Sequence, residues 1–166
     1  MIRTAVVTIS DSAVAGTRED RSGPALEKHV QELGWMVVSK KVVPDDVQQI
    51  AELLASLADG GEVDLILTTG GTGLALRDVT PEAIRTIAHR EVPGFGEIMR
   101  AEGRKSARFA ALSRGGAATR CATLIVNLPG SPRGAVDSLI AVADLIPHSV
   151  DLLHGRTQHR PFADGQ

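Results

Sequence analysis

A chain of 166 residues with 43% hydrophobic and 23% charged residues can fill one sizeable core and is too ordinary in composition for a disordered or fibrous protein. Its formal net charge of -2 and aromatic content of 2% argue against a basic nucleic-acid surface and a base-stacking platform. No apolar run approaches the roughly 18 residues that span a bilayer, and the first residues lack the pattern of a signal peptide, so the expectation is a cytoplasmic protein with no membrane partner.

In chain order, Thr4–Ser10 reads as the first strand, buried on both faces. Ser22-Gly-Pro opens a helix carrying Leu26, Val30 and Leu33, with Gly34 as its C-cap. Met36–Val43 is interrupted by Ser39, Lys40 and Lys41, which predicts an exposed or edge strand. A second helix starts at Asp45 or Asp46 and lines Val47, Ile50, Leu53, Leu54 and Leu57 on one face.

Asp64–Thr69 is a further buried strand that runs into Gly70-Gly71-Thr72-Gly73. Thr80 as N-cap, Pro81 at the first helical position and Glu82 in the first turn predict a third helix. Pro93-Gly-Phe-Gly predicts a break, followed by a short helix over 97–102. The single cysteine, Cys121, falls in the run Cys-Ala-Thr-Leu-Ile-Val and is expected to be a small buried hydrophobe beside a strand at Thr123–Leu128. With one cysteine there is no internal disulfide and no cysteine zinc cluster. A long helix through Val136, Leu139, Ile140 and Ala143 then follows, kinked or restarted at Pro147 and ending near Gly155, with 156–166 as a tail.

Strands alternating with helices imply right-handed crossovers, and hence a single α/β domain with a doubly wound, mostly parallel sheet and helices on both faces. Ligands of such sheets bind beyond the carboxyl ends of the strands. Candidate site residues are therefore sought in the loops after each strand.

Gly70, Gly71, Thr72 and Gly73 suit an anion cradle, because glycines admit a phosphate close to backbone N–H groups. The same glycines also suit a sharp turn. They match neither the P-loop, which needs Gly-Lys-Ser/Thr, nor the dinucleotide fingerprint, whose third glycine is replaced by Leu76. Asp45 and Asp78 both follow strands and precede helices, and two oxygen ligands from different loops suit Mg²⁺. Asp45 could instead cap the second helix, a role Asp78 escapes if Thr80 is the cap. Ser10, Asp11 and Asp20 admit either ligand contact or turn and cap chemistry. Arg114 could pair with a phosphate and Asn127 could read a ring edge or fix a loop. The five histidines are scattered without metal-ligand spacing, and no Gly-x-Ser-x-Gly elbow is present.

Eight segments occur together in order: Thr-Ile-Ser-Asp-Ser at 8–12, Asp-Arg-Ser-Gly-Pro at 20–24, Val-Pro-Asp at 43–45, Thr-Thr-Gly-Gly-Thr-Gly at 68–73, Arg-Asp-Val-Thr-Pro-Glu at 77–82, Pro-Gly-Phe-Gly-Glu at 93–97, Leu-Ser-Arg at 112–114 and Asn-Leu-Pro-Gly at 127–130. With them the chain resembles the molybdopterin adenylyltransferases of the Mog/MoaB family, whose fold is shared by the G domain of gephyrin. The resemblance runs from about Arg3 to Gly155. It implies transfer of AMP from Mg²⁺-ATP to molybdopterin with release of pyrophosphate, in molybdenum cofactor biosynthesis. It further implies a homotrimer and transient contact with other enzymes of that pathway.

On this resemblance Asp45 and Asp78 hold Mg²⁺ or orient the nucleotide. Gly70, Gly71, Thr72 and Gly73 hold phosphates. Ser113 and Arg114 bind the pterin or its phosphate, Ser10, Asp11 and Asp20 line the pocket, and Asn127, Pro129 and Gly130 complete it. Two other readings share the fold: a member that binds molybdopterin without adenylylating it, and a nucleotide pyrophosphatase of the competence-damage type.

Overall fold

In the computed structural model, which describes residues 1–156, six strands form one sheet in the order β2-β1-β3-β6-β5-β4. The strands are β1 (Arg3–Ile9), β2 (Met36–Val43), β3 (Leu65–Thr69), β4 (Arg90–Val92), β5 (Ala117–Arg120) and β6 (Thr123–Leu128). β2, β1, β3 and β6 are parallel, whereas β5 and β4 add on antiparallel. The expected mostly parallel core is present, with β2 on its edge. The β4–β5 extension is not legible in the sequence. Its strands are three and four residues long, too short for a clear period.

Cys121 is a correction that follows from this hairpin. It is exposed and occupies the turn between β5 and β6 with a positive φ of 50°. The apolar stretch after it is the strand, and the cysteine itself is turn.

A single helical turn, α1 (Asp11–Val14), follows β1. Helices α2 (Ser22–Glu32), α5 (Pro93–Gly103), α6 (Pro132–Val142) and α7 (Leu145–Leu153) cover one face of the sheet, where Leu26, Val30, Met99, Leu139 and Ile146 meet Val6, Leu65, Leu67 and Val126. Helices α3 (Val47–Asp59) and α4 (Thr80–Ile87) cover the other, where Ile50, Leu54 and Ile84 meet Ala5, Val7 and Ile66. Alternation along β1 thus feeds two cores, as a strand buried on both sides requires. Each fully buried Leu or Ile stabilises the fold by about 1.5–3 kcal/mol relative to exposure.

Two helix starts differ from expectation. Pro93 begins α5 outright, because a proline at the first helical position sacrifices no needed N–H. The long C-terminal helix is two, separated at Ala143-Asp144, and Pro147 sits in the first turn of α7 where it is tolerated. The predicted tail over 157–166 lies outside the described residues.

From β1 the chain crosses to β2 on one side and then to β3 on the other. Strand order therefore reverses between β1 and β3, and a crevice opens beyond their carboxyl ends.

Candidate functional site

That crevice holds a cleft of about 540 Å³. Of the residues expected at the site, Ser10, Asp20, Asp45, Gly70, Gly71, Asp78 and Gly130 line it.

The glycine turn at its floor is built by backbone geometry. Gly70 and Gly71 have φ of 110° and 65°, a region closed to most side chains. A Cβ on Gly70 would fall on the carbonyl oxygen of Ile9, and one on Gly71 would fall on the Thr80 hydroxyl. Gly130 approaches the same turn, since its Cβ would stand 3.2 Å from Gly70 Cα. Three loops therefore converge on this turn.

Asp46, not Asp45, caps α3: its Oδ1 accepts from Gln49 N at 2.9 Å. Asp45 is thereby left to the cleft. Its Oδ2 accepts from Asp11 N at 2.9 Å, and its Oδ1 has no hydrogen-bond partner among the described residues. Burial pushes the Asp45 carboxyl above the usual carboxylate range, and the negative charges of Asp11 and Asp78 push the same way, against the Asp11 N–H and the Arg77 charge.

Thr80 is not the cap of α4. It is the first helical residue, and its buried hydroxyl donates to Gly70 O at 2.9 Å, bracing the glycine turn. The helix has no side-chain cap. Asp78 takes on a local duty instead: its Oδ2 accepts from Ala75 N at 2.8 Å and closes the 75–78 turn. Its Oδ1 is without a hydrogen-bond partner among the described residues and stands 3.9 Å from where a Gly73 Cβ would be. Each of the two carboxylates thus presents one uncommitted oxygen.

The other expected residues stand behind or beside the cleft. Asp11 accepts from Asp45 N at 3.0 Å and takes the guanidinium of Arg77 on both oxygens, at 2.8 and 2.7 Å from Nη2 and 2.9 Å from Nε. The Arg77 hydrogen bond holds the Asp11 carboxyl below its ordinary range. Arg114 donates to Gly73 O at 2.8 Å and Asp78 O at 2.6 Å, pairs with Glu82, and its own N–H donates to Thr72 O at 2.8 Å. It ties the 72–82 loop in place, with its guanidinium already engaged. Thr72 is buried, and Gly73 serves through its carbonyl. Asn127 is buried beneath the floor, its Oδ1 accepting from Thr68 Oγ1 at 3.1 Å. Pro129 O accepts from Thr69 Oγ1 at 2.7 Å.

Ser113 and Pro129 line an adjoining hollow of about 260 Å³ between α5 and α6, which meets the main cleft at Ser131. Residues missed in the sequence include Thr8, Arg18 and Ser131, all on the cleft wall. Ser131 was within reach, because it precedes Pro132 and caps α6 by accepting from Gly134 N at 3.1 Å. Among the described residues no helix is long and apolar enough to cross a membrane, and no group of three metal-ligating side chains is present.

Residues 5–148 match the family described as "Probable molybdopterin binding domain". The chain belongs to this family. It is 41% identical over 156 residues to a molybdopterin adenylyltransferase of Helicobacter pylori, covering 93% of this chain and 89% of that protein. It is 36% identical to the molybdopterin adenylyltransferase of Escherichia coli, covering 93% and 86%. Among solved structures, the molybdopterin biosynthesis enzyme MoaB of Thermus thermophilus superposes with a TM-score of 0.88 at 46% identity, covering 93% of this chain and 98% of that one. A structure of the protein CinA from Thermoplasma acidophilum superposes with a TM-score of 0.66 at 17% identity, a likeness of fold alone.

Proposed function

We propose that this family member is a molybdopterin adenylyltransferase that moves AMP from ATP to the terminal phosphate of molybdopterin in molybdenum cofactor biosynthesis. An oxygen of the molybdopterin phosphate attacks the α-phosphorus of ATP, the bond from that phosphorus to the bridging oxygen breaks, and pyrophosphate leaves. The observation that carries this reading is the pair Asp45 and Asp78. Both stand beside a glycine turn in the switch-point cleft, and each has one oxygen free of protein donors among the described residues.

Those two free oxygens come from separate loops and leave most of a coordination sphere for water and phosphate, so the donor set fits Mg²⁺. Bound there, Mg²⁺ would offset the charge that builds on the triphosphate during transfer. The protein's own contribution is positioning. The turn at Gly70 and Gly71 admits phosphate oxygens close to the backbone. Asp11 and Arg77 fix the Asp45 loop, Thr80 and Arg114 fix the glycine loop, and the hollow at Ser113 and Pro129 takes the pterin.

The deciding experiment incubates the purified protein with Mg²⁺-ATP, with and without molybdopterin, and follows pyrophosphate and adenylylated product. Pyrophosphate release that depends on molybdopterin supports the transferase. Nucleotide hydrolysis without the pterin, or pterin binding with neither reaction, would replace it with the pyrophosphatase or the binding protein respectively. A homotrimer in the cytoplasm belongs to the same reading, and light scattering should return three chain masses.

A further inference from the structure

The turn that presents Asp78 has little packing of its own. Leu74, Ala75, Leu76 and Arg77 are all exposed, so its shape rests on hydrogen bonds. Within it, Asp78 Oδ2 accepts from Ala75 N at 2.8 Å and Ala75 O accepts from Asp78 N at 2.9 Å. From outside, one guanidinium spans its two ends: Arg114 Nε donates to Gly73 O at 2.8 Å, and Nη2 donates to Asp78 O at 2.6 Å. The orientation of the Asp78 carboxylate therefore depends on where that guanidinium points.

The third guanidinium nitrogen, Nη1, donates to Glu82 Oε1. The three nitrogens share one rigid plane, so fixing Nη1 also fixes Nε and Nη2. Both loop carbonyls are neutral acceptors, whereas Glu82 is the one anion paired with Arg114 among the described residues. A charged acceptor makes the stronger bond. Arg85 Nη1 stands 3.5 Å from the same oxygen, but Arg85 is turned to Glu91, which accepts from its Nε at 3.2 Å.

Glu82 is half-buried in the first turn of α4, and its Oε2 is buried without a hydrogen-bond partner among the described residues. Burial alone would raise its carboxyl, yet the Arg114 bond holds it below the ordinary range. Glu82 is on the wall of neither the cleft nor the adjoining hollow, so it meets no ligand in either. We propose that Glu82 is a positioning residue of the transfer site: it aims the Arg114 guanidinium, and through it the turn that presents Asp78 to the metal. The metal at Asp78 rests on the transferase reading given above, whereas the hold of Glu82 on the turn does not.

Two measurements test this, both without molybdopterin. The first is amide hydrogen exchange at Ala75 in the ligand-free protein, followed by NMR. The Ala75 N–H is bonded to the Asp78 carboxylate and exchanges when the turn opens. Glu82→Ala should speed that exchange about tenfold, the equivalent of one charge-assisted bond, while the amides of β3 stay as in the parent. Glu82→Gln keeps an acceptor for Nη1 and should lose only about threefold. Arg85→Gln should change nothing at Ala75.

The second is calorimetric binding of ATP with Mg²⁺ and with EDTA. Glu82→Ala should cut the gain in affinity that Mg²⁺ brings by about tenfold and leave binding in EDTA unchanged, because releasing a residue that orients a metal ligand weakens the metal alone. Should Glu82→Ala fail to fold, Glu82→Gln decides, with its smaller loss in both measurements. Parental exchange at Ala75 in the folded variants, Glu82→Gln as damaging as Glu82→Ala, an equal loss in Arg85→Gln, or an undiminished Mg²⁺ gain would each overturn the proposal. A parent protein whose ATP affinity ignores Mg²⁺ would count against the metal at Asp78 and the transferase reading, and leave the exchange result to decide the role of Glu82.

Discussion

Asp11 and Asp45 hold each other through reciprocal bonds: Asp11 N donates to Asp45 Oδ2 at 2.9 Å, and Asp45 N donates to Asp11 Oδ1 at 3.0 Å. Two carboxylates brought this close repel, yet each one's charge is met by the other's backbone N–H and Asp11 also carries the fork of Arg77. The arrangement joins the loop after β1 to the loop after β2 and turns Asp45 Oδ1 toward the cleft. Asp11→Ala removes the acceptor of Asp45 N and the anchor of Arg77 without emptying any core. Expected is a fall in kcat/KM for adenylyl transfer of roughly 10–100-fold, the usual effect of releasing a residue that orients a metal ligand. Half-saturation should move to higher Mg²⁺ while the thermal midpoint stays close to that of the parent. Unaltered Mg²⁺ dependence would remove Asp11 from this role.

Asp78 has one oxygen for the turn and one for the ligand, so its two duties can be separated by Asp78→Asn. The amide oxygen still accepts from Ala75 N, at the 2.8 Å position now held by Oδ2, and the turn persists. The negative charge is gone. Loss of a direct metal or phosphate-orienting carboxylate should remove several kcal/mol of transition-state stabilisation, which is on the order of a hundredfold or more in rate. A folded Asp78→Asn protein with near-parental turnover would contradict the assignment.

The parallel core and its two-sided burial are legible because β1, β3 and β6 are continuous β-branched runs that only a covered sheet can use. The switch-point location of the site follows from strand order. Two acids in a row at 45 and 46 cannot be told apart by pattern, since either can cap α3 and only the position of Gln49 N decides. Thr80-Pro81 reads as an N-cap by pattern, but Gly70 O competes for the same hydroxyl and wins in the buried setting. Cys121 reads as part of a buried run because a β-turn between two antiparallel strands borrows apolar residues from its flanks. Arg114 reads as a free phosphate ligand. Its partners Gly73 O, Asp78 O and Glu82 lie 32 to 41 positions away and are invisible to local patterns.

Gly70 carries the most demanding backbone in the cleft. Gly70→Ala imposes a side chain at φ 110° and drives its Cβ onto Ile9 O, which is backbone at the end of β1, a strand paired on both sides, and cannot swing aside. The cost should exceed the about 1–2 kcal/mol of a left-handed alanine in open space. Gly34 supplies the comparison: its φ is 75° but nothing lies within 4 Å of the place an added methyl would take, so Gly34→Ala should lose only that smaller amount and keep its turnover. Urea unfolding of both variants measures the difference. Equal losses would mean that the contact with Ile9 relaxes without strain.

At the opposite end of the sheet, Asp64 receives Arg3 N at 2.8 Å, Arg3 Nη2 at 2.8 Å and His154 Nε2 at 3.1 Å, joining the start of β1, the start of β3 and the end of α7. Burial alone would raise its carboxyl, but the Arg3 hydrogen bonds and charge prevail and bring it down to about 2. An unfolded aspartate titrates near 3.9. Because the folded value is the lower one, the stabilisation is present above about pH 4 and is lost as pH falls toward 2. At pH 7 it amounts to about 2 kcal/mol, of which roughly half remains at pH 3. Asp64→Asn should therefore be less stable than the parent by about that amount at pH 7, and the gap should shrink by half at pH 3. Denaturant unfolding at the two pH values measures it, and a gap independent of pH would mean that Asp64 acts through its shape and not its charge.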